Sequence, residues 1–151
     1  MSSAALAAPL AADAANAANA ANAADSAPSL PSSSEAAAIE ACARDYIEGW
    51  YAGDAARMER SLHPELAKRI VKRLPDGRGE LQNMGAMALV QHTRARSGKP
   101  EVGKRADVKI LDIFGRTASV RVDAESWIDY IHLAQVDGRW RIVNVLWEMR
   151  G

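Results

Sequence analysis

A single cysteine, Cys42, stands in the chain of 151 residues, so no disulfide can form within it and the redox compartment stays open. Histidine is nearly as scarce. His63, His92 and His132 lie far apart, with no pair at i+2, i+3 or i+4, whereas a zinc site draws on three or four converging ligands. No metal site is expected. No stretch approaches the ~18 apolar residues of a transmembrane helix, so a membrane is not expected as a partner. Charge of neither sign prevails: 19 Lys and Arg face 19 Asp and Glu. Nucleic-acid binders carry a basic stripe and a high pI. Here charges are mixed along the chain and the sequence pI is about 6.8, so nucleic acid is not an expected partner either.

The first 33 residues lack Lys, Arg, aromatic and β-branched residues altogether, and fifteen of the first 27 are alanine. Ala-Ala-Asn repeats from Ala14 to Asn22, and Ser26 to Ser34, with Pro28 and Pro31, has linker composition. Residues 1–33 are therefore assigned to an Ala/Asn/Ser-rich disordered tail and linker, and residues 34–151 to a single α+β domain. The tail is either frayed and Ala-rich or the remnant of an export signal, although it has no positively charged start. The compartment is cytoplasmic on the first reading and periplasmic on the second.

Within the domain the hydrophobic period changes once. Ser32-Ser33-Ser34-Glu35 forms a capping box, and Ile39, Cys42, Ala43, Tyr46, Ile47 and Trp50 follow on one helical stripe. Gly53 ends that helix, and Asp54 caps a short second one carrying Met58 and Leu62. His63-Pro64 breaks it. Leu66, Ile70, Val71 and Leu74 fit a helical turn or an irregular strand. Lys68, Arg69, Lys72 and Arg73 lie at helical spacing and read as a solvated helix face, with an anion or partner patch as the alternative. After the Pro75-Asp76-Gly77 turn, Asn83 is expected to cap a third helix reaching about Arg96, with Met84, Met87, Ala88 and Gln91 down one side. From there the period is two, giving strands at Ala106–Phe114, Thr117–Asp123, Ser126–Val136 and Arg139–Glu148.

The Asp137-Gly138 turn sets a hairpin register. Gln135 then faces Trp140, Leu133 faces Ile142, Ile131 faces Asn144 and Asp129 faces Leu146, all on one surface with Trp127. The other surface carries Ile128, Tyr130, His132, Ala134, Arg141, Val143, Val145 and Trp147. The first is assigned to the helices. The second is the expected homodimer surface through Tyr130, His132, Val145 and Trp147, or else a solvated sheet face. Two polar residues mark the inner face, Asp129 and Asn144, under a roof of Tyr46 and Trp50. They either face a ligand or satisfy each other. A carboxylate in a dry site favours its neutral form and can act as general base or donor.

The run Tyr46-Ile-Glu-Gly49-Trp50-Tyr-Ala-Gly53-Asp54, then His63-Pro64, and the closing Trp140-Arg-Ile142-Val-Asn144 resemble the nuclear-transport-factor-2-like superfamily. Within it they are most similar to the bacterial group labelled putative lumazine-binding. The resemblance runs from about Glu35 to Arg150. It implies a cone-shaped α+β barrel, N-terminal helices packed on a curved antiparallel sheet, commonly dimeric through the sheet.

The expected function is binding of a small molecule in a hollow formed by Tyr46, Trp50, Trp127, Asp129, Trp140 and Asn144, with no cofactor. Two alternatives stand beside it. One is an enzyme moving a proton on a cyclic apolar substrate, with Asp129 as base and Tyr46 polarising an oxygen, the chemistry that ketosteroid-isomerase-like relatives imply. The other is a protein-interaction module working through the outer sheet face.

Overall fold

The computed structural model describes residues 32–151. The tail, the linker and the export-signal reading lie outside the described residues, save Ser32 and Ser33, which open the first helix. Helix α1 (Ser33–Ala52) starts where the Ser32 side chain accepts from the Glu35 amide at 3.2 Å. Its stripe Ile39, Cys42, Ala43, Tyr46 and Ile47 is buried. Gly53, at φ 68°, closes it with the left-handed conformation that only glycine enters without strain. The Asp54 carboxylate caps α2 (Ala55–Ser61) by accepting from the Arg57 amide at 2.9 Å. Arg57 and Arg60 reach back to Asp45 on α1, pinning the two helices together.

The chain then turns to strand. β1 (Leu62–Arg73) and β2 (Gly79–Met84) form an antiparallel hairpin around the Pro75-Asp76-Gly77 turn. Asn83 is thus spent in a strand, and the third helix starts later, as α3 (Ala86–Arg94), with Gly85 at its N-cap and no side-chain cap. Its buried side is Leu89, Val90 and Thr93, whereas Met87 is exposed. The expected stripe of Met84, Met87, Ala88 and Gln91 is corrected accordingly. β3 (Ala106–Phe114), β4 (Thr117–Ala124), β5 (Trp127–Val136) and β6 (Arg139–Met149) form the meander read from the sequence. At its last turn Asp137 and Gly138 both take positive φ, 51° and 73°, as a type I′ hairpin demands.

The six strands of the described residues join one curved sheet in the order β2-β1-β6-β5-β4-β3. The sheet is mixed, not purely antiparallel, because β1 runs parallel to β6. The fold is α+β, with α1 lying across β3, β4 and β6. Buried Val120, Val122, Ile131, Leu133, Ile142 and Val145 form the core beneath it.

One irregularity changes which side chains face inward. β5 and β6 keep the hairpin register through Gln135–Trp140 and Leu133–Ile142, then slip, so that His132 pairs with Asn144 and Ile131 with Val145. Val143 is the extra residue of a β-bulge. A one-residue slip sends every later side chain to the opposite face. Hence Asp129 pairs with Trp147, not Leu146. Val145 is wholly buried and Trp147 turns inward, which removes both from the expected dimer surface. Asn144 moves outward, accepting from Arg69 at 3.0 Å and lying 3.3 Å from His132. Tyr130 and His132 keep their outer positions, now beside Leu146.

Candidate functional site

Between α1, α3 and the β1–β6–β5 part of the sheet lies a cavity of about 350 Å³. Its buried end is made by Ile47, Met58, Leu89, Tyr46 and Lys68. Trp50, Trp127 and Trp147 supply aromatic wall, and exposed His92, Glu101 and Ser126 stand at the solvent side. The rings of Trp127 and Trp147 meet edge to face, centroids 6.3 Å apart, a favourable arrangement for aromatic quadrupoles. Arg96, which follows α3, stacks 4.4 Å over Trp50, donates to the Trp50 carbonyl and pairs with Glu101. These three residues tie α1 to the loop beyond α3 at one edge of the cavity.

The polar chemistry at the buried end is a single connected network. Asp129 on β5 is 0 % exposed, yet both carboxylate oxygens are occupied. Trp127 Nε1 donates to Oδ2 at 2.7 Å; Lys68 Nζ at 3.0 Å and Tyr46 Oη at 3.1 Å donate to Oδ1. Lys68 also donates to the Tyr46 hydroxyl at 2.5 Å and lies 4.5 Å over the Trp147 ring. Every buried polar side-chain atom among the described residues has a partner, so the apolar surroundings exact no penalty for an orphaned group. Burial disfavours the charged ammonium and lowers the pKa of Lys68 despite the opposing pull of Asp129. Burial likewise raises the Tyr46 hydroxyl well above its ordinary value, with the Asp129 charge adding to it.

This places the residues expected to line a ligand site. Tyr46, Trp50 and Trp127 border the cavity, and Asp129 sits directly behind Tyr46, Lys68 and Trp127. Two do not join them. Trp140 is core, 7 % exposed, and not part of the cavity wall. Asn144 is on the other face of the sheet because of the Val143 bulge. Asp129 and Asn144 therefore do not satisfy each other. The carboxylate proposed as a base holds three donors, and the hydroxyl proposed to polarise an oxygen already bridges Lys68 and Asp129.

Sequence reasoning missed Lys68 and Trp147. The helical spacing of Lys68, Arg69, Lys72 and Arg73 suggests a solvated helix face, but in a strand Leu66, Lys68 and Ile70 share one face, and Lys68 is only 7 % exposed. That alternation between two apolar residues was the available signal. Arg69 points to the other face, and Lys72 and Arg73 are exposed at the strand end. Among the described residues no three His, Cys, Asp or Glu converge as metal ligands, and Cys42 is a buried thiol pushed up to about 12 by desolvation, then by Asp45.

Comparison with solved structures returns the same architecture. An NTF2-like protein of unknown function from Shewanella baltica OS155 is 21% identical, with TM-score 0.68 over 82% of this chain and 99% of that one. One from Methylobacillus flagellatus KT is 19% identical, TM-score 0.67, covering 83% and 100%. A ketosteroid isomerase-like protein from Erwinia carotovora atroseptica is 15% identical, TM-score 0.58, covering 80% and 99%. At these identities the likeness concerns the fold. No curated protein matches in sequence. Residues 34–148 match the family described as "Putative lumazine-binding", and with that match over most of its length, on an NTF2-like fold, the chain belongs to that family.

Proposed function

We propose that the domain binds one small aromatic molecule bearing a carbonyl or carboxylate oxygen. The observation that carries this reading is the tryptophan-walled cavity ending in one buried ammonium. Small-ligand sites are usually largely apolar spaces of ~300–1,000 Å³ with a few convergent polar groups, and this cavity has that form. An ammonium has three donors. Two of those on Lys68 go to Asp129 and Tyr46, which leaves one N–H for a ligand oxygen. Proton abstraction by Asp129 is the weaker reading, because the carboxylate is already engaged on both oxygens. The family description makes lumazine a natural first probe, beside flavins and aromatic carboxylic acids.

Three of the chain's four tryptophans border the cavity, so occupancy will quench or shift most of the intrinsic fluorescence. Titration with these probes is expected to give saturable quenching, weakened about tenfold or more in Trp147→Ala, which removes one aromatic wall. A flat signal across all of them would overturn the binding assignment.

A second reading rests on the outer sheet face. Register places Arg69, Leu146, Tyr130 and Arg121 in one row across four strands, with Leu146 42 % and Tyr130 46 % exposed at its centre. An apolar centre flanked by Arg121, paired with Asp123, and by Arg69, hydrogen-bonded to Asn144, suits self-association about a two-fold axis. The homodimer proposed here therefore uses Tyr130, His132 and Leu146, no longer Val145 and Trp147. Light scattering is expected to report a dimer for the parent chain and a monomer for Leu146→Glu. A monomeric parent would end this reading and leave the cavity untouched.

A further inference from the structure

We infer that Lys68 is an amine nucleophile, which captures aldehydes or ketones carrying an aromatic or apolar group as a covalent, reversible iminium. The inference rests on the binding reading above and names a substrate class for the same cavity. Its basis is placement. Lys68 lines an apolar cavity, with its Nζ 3.0 Å from a carboxylate and 2.5 Å from a hydroxyl that itself donates to that carboxylate. A proton acceptor and a proton relay thus flank the nitrogen, which is the arrangement that activates a lysine toward carbonyl carbon. Lys72, Lys99, Lys104 and Lys109 are all exposed and have no such surroundings.

The step balances without any outside reagent. Lys68 passes one proton to Asp129, and its freed electron pair attacks the carbonyl carbon. The C=O π pair moves to oxygen, which takes the Tyr46 proton, and Tyr46 recovers one from the new C–N⁺H₂ group. The resulting carbinolamine loses its hydroxyl as water with the proton held by Asp129, and the nitrogen pair forms C=N⁺H. One water leaves, nothing is oxidised or reduced, and a cation again faces the Asp129 carboxylate. Since the charges of the pair are the same before and after, the dry site does not oppose the product. Hydrolysis runs the same steps backwards.

Naphthaldehyde with sodium cyanoborohydride, which reduces the iminium to a stable amine, tests the inference on the full chain. Peptide mapping is expected to find Lys68 modified at least tenfold faster than any other lysine. Its labelling should persist to lower pH than surface lysines, since burial keeps its amine less basic; Asp129 and Tyr46 face it directly, with His92, Arg96 and Glu101 across the cavity. Lys68→Arg, which keeps a cation for Asp129, should abolish only this modification. Tyr46→Phe should slow it about 10²-fold, the lower range for a positioned proton donor. Naphthylmethanol, which cannot form an imine, reports occupancy through tryptophan fluorescence in every variant. If it binds and Lys68 reacts no faster than surface lysines, the covalent inference is overturned and the binding site stands. If neither naphthyl compound enters, the covalent inference is overturned, and the binding reading falls with it only when the titration with lumazine, flavins and aromatic carboxylic acids is flat as well. Full-rate labelling of Tyr46→Phe would remove the relay from the step.

Discussion

Asp129→Ala is expected to destabilise the domain by about 3–5 kcal/mol, the usual loss when one member of a buried ion pair is removed. The carboxylate is wholly buried and serves three donors at once, so its loss strands the Lys68 ammonium, the Tyr46 hydroxyl and the Trp127 indole together. An unpaired ammonium is the most expensive of the three, because a charge in apolar surroundings costs far more than a neutral donor. Asp129→Asn should cost less, since the amide oxygen still accepts. The informative comparison is the double variant Asp129→Leu with Lys68→Met. Replacing both charges by apolar groups of similar volume removes the desolvation cost along with the attraction, so much of the stability should return. Urea denaturation of the three variants measures this, provided the slope is unchanged. Should Asp129→Ala cost below about 1 kcal/mol, the site would have to be wet, and the dry network described above would be wrong. The same double variant should lose iminium formation while folding well, which separates the network's chemical use from its structural one.

Gly53→Ala carries the second large effect, expected at roughly 2–6 kcal/mol. Two costs combine. A non-glycine residue at φ 68° is strained by about 1–3 kcal/mol. The added Cβ would also lie 2.7 Å from the Arg96 carbonyl carbon and oxygen and 2.8 Å from the Ser97 nitrogen. Those are backbone atoms, which cannot swing aside as a side chain would, and overpacking of this kind costs a further ~1–3 kcal/mol. Gly138→Ala provides the control. Its φ of 73° is equally strained, but nothing lies within 4 Å of the added Cβ, so only the strain should be lost. Thermal or urea unfolding should therefore rank Gly53→Ala well below Gly138→Ala. Equal losses would mean that α1 and the loop beyond α3 are not held as closely as described. Because Arg96 also stacks on Trp50, parting these segments should weaken ligand binding in Gly53→Ala as well.

Both sites show how far local signals reach. Ser32, Gly53 and Asp54 announce the ends of two helices through their own side chains or backbone freedom, and the structure places caps at those residues. Asp137-Gly138 announces a hairpin for the same reason, since a two-residue turn needs two positive φ angles in succession. Asp129 and Tyr46 could be singled out because a polar group at a core period has to meet something. What each meets depends on strands distant in sequence.

The amino-acid sequence by itself thus determined the α+β class, the first two helices, the four-strand meander and the placing of Asp129 on the sheet face toward the helices. Tertiary structure decided the rest. Lys68 becomes a core residue only because β1 is clasped between β2 and β6, an arrangement that overrides a charge pattern equally compatible with a wet helix. Trp147 enters the cavity and Asn144 leaves it because one extra residue, Val143, is accommodated in β6. A bulge has no side-chain signature in this strand; it is selected by the summed burial of Val145, Trp147 and their partners. Side-chain periods record which faces a segment can offer, whereas the choice among those faces belongs to long-range packing, where the larger free energies lie.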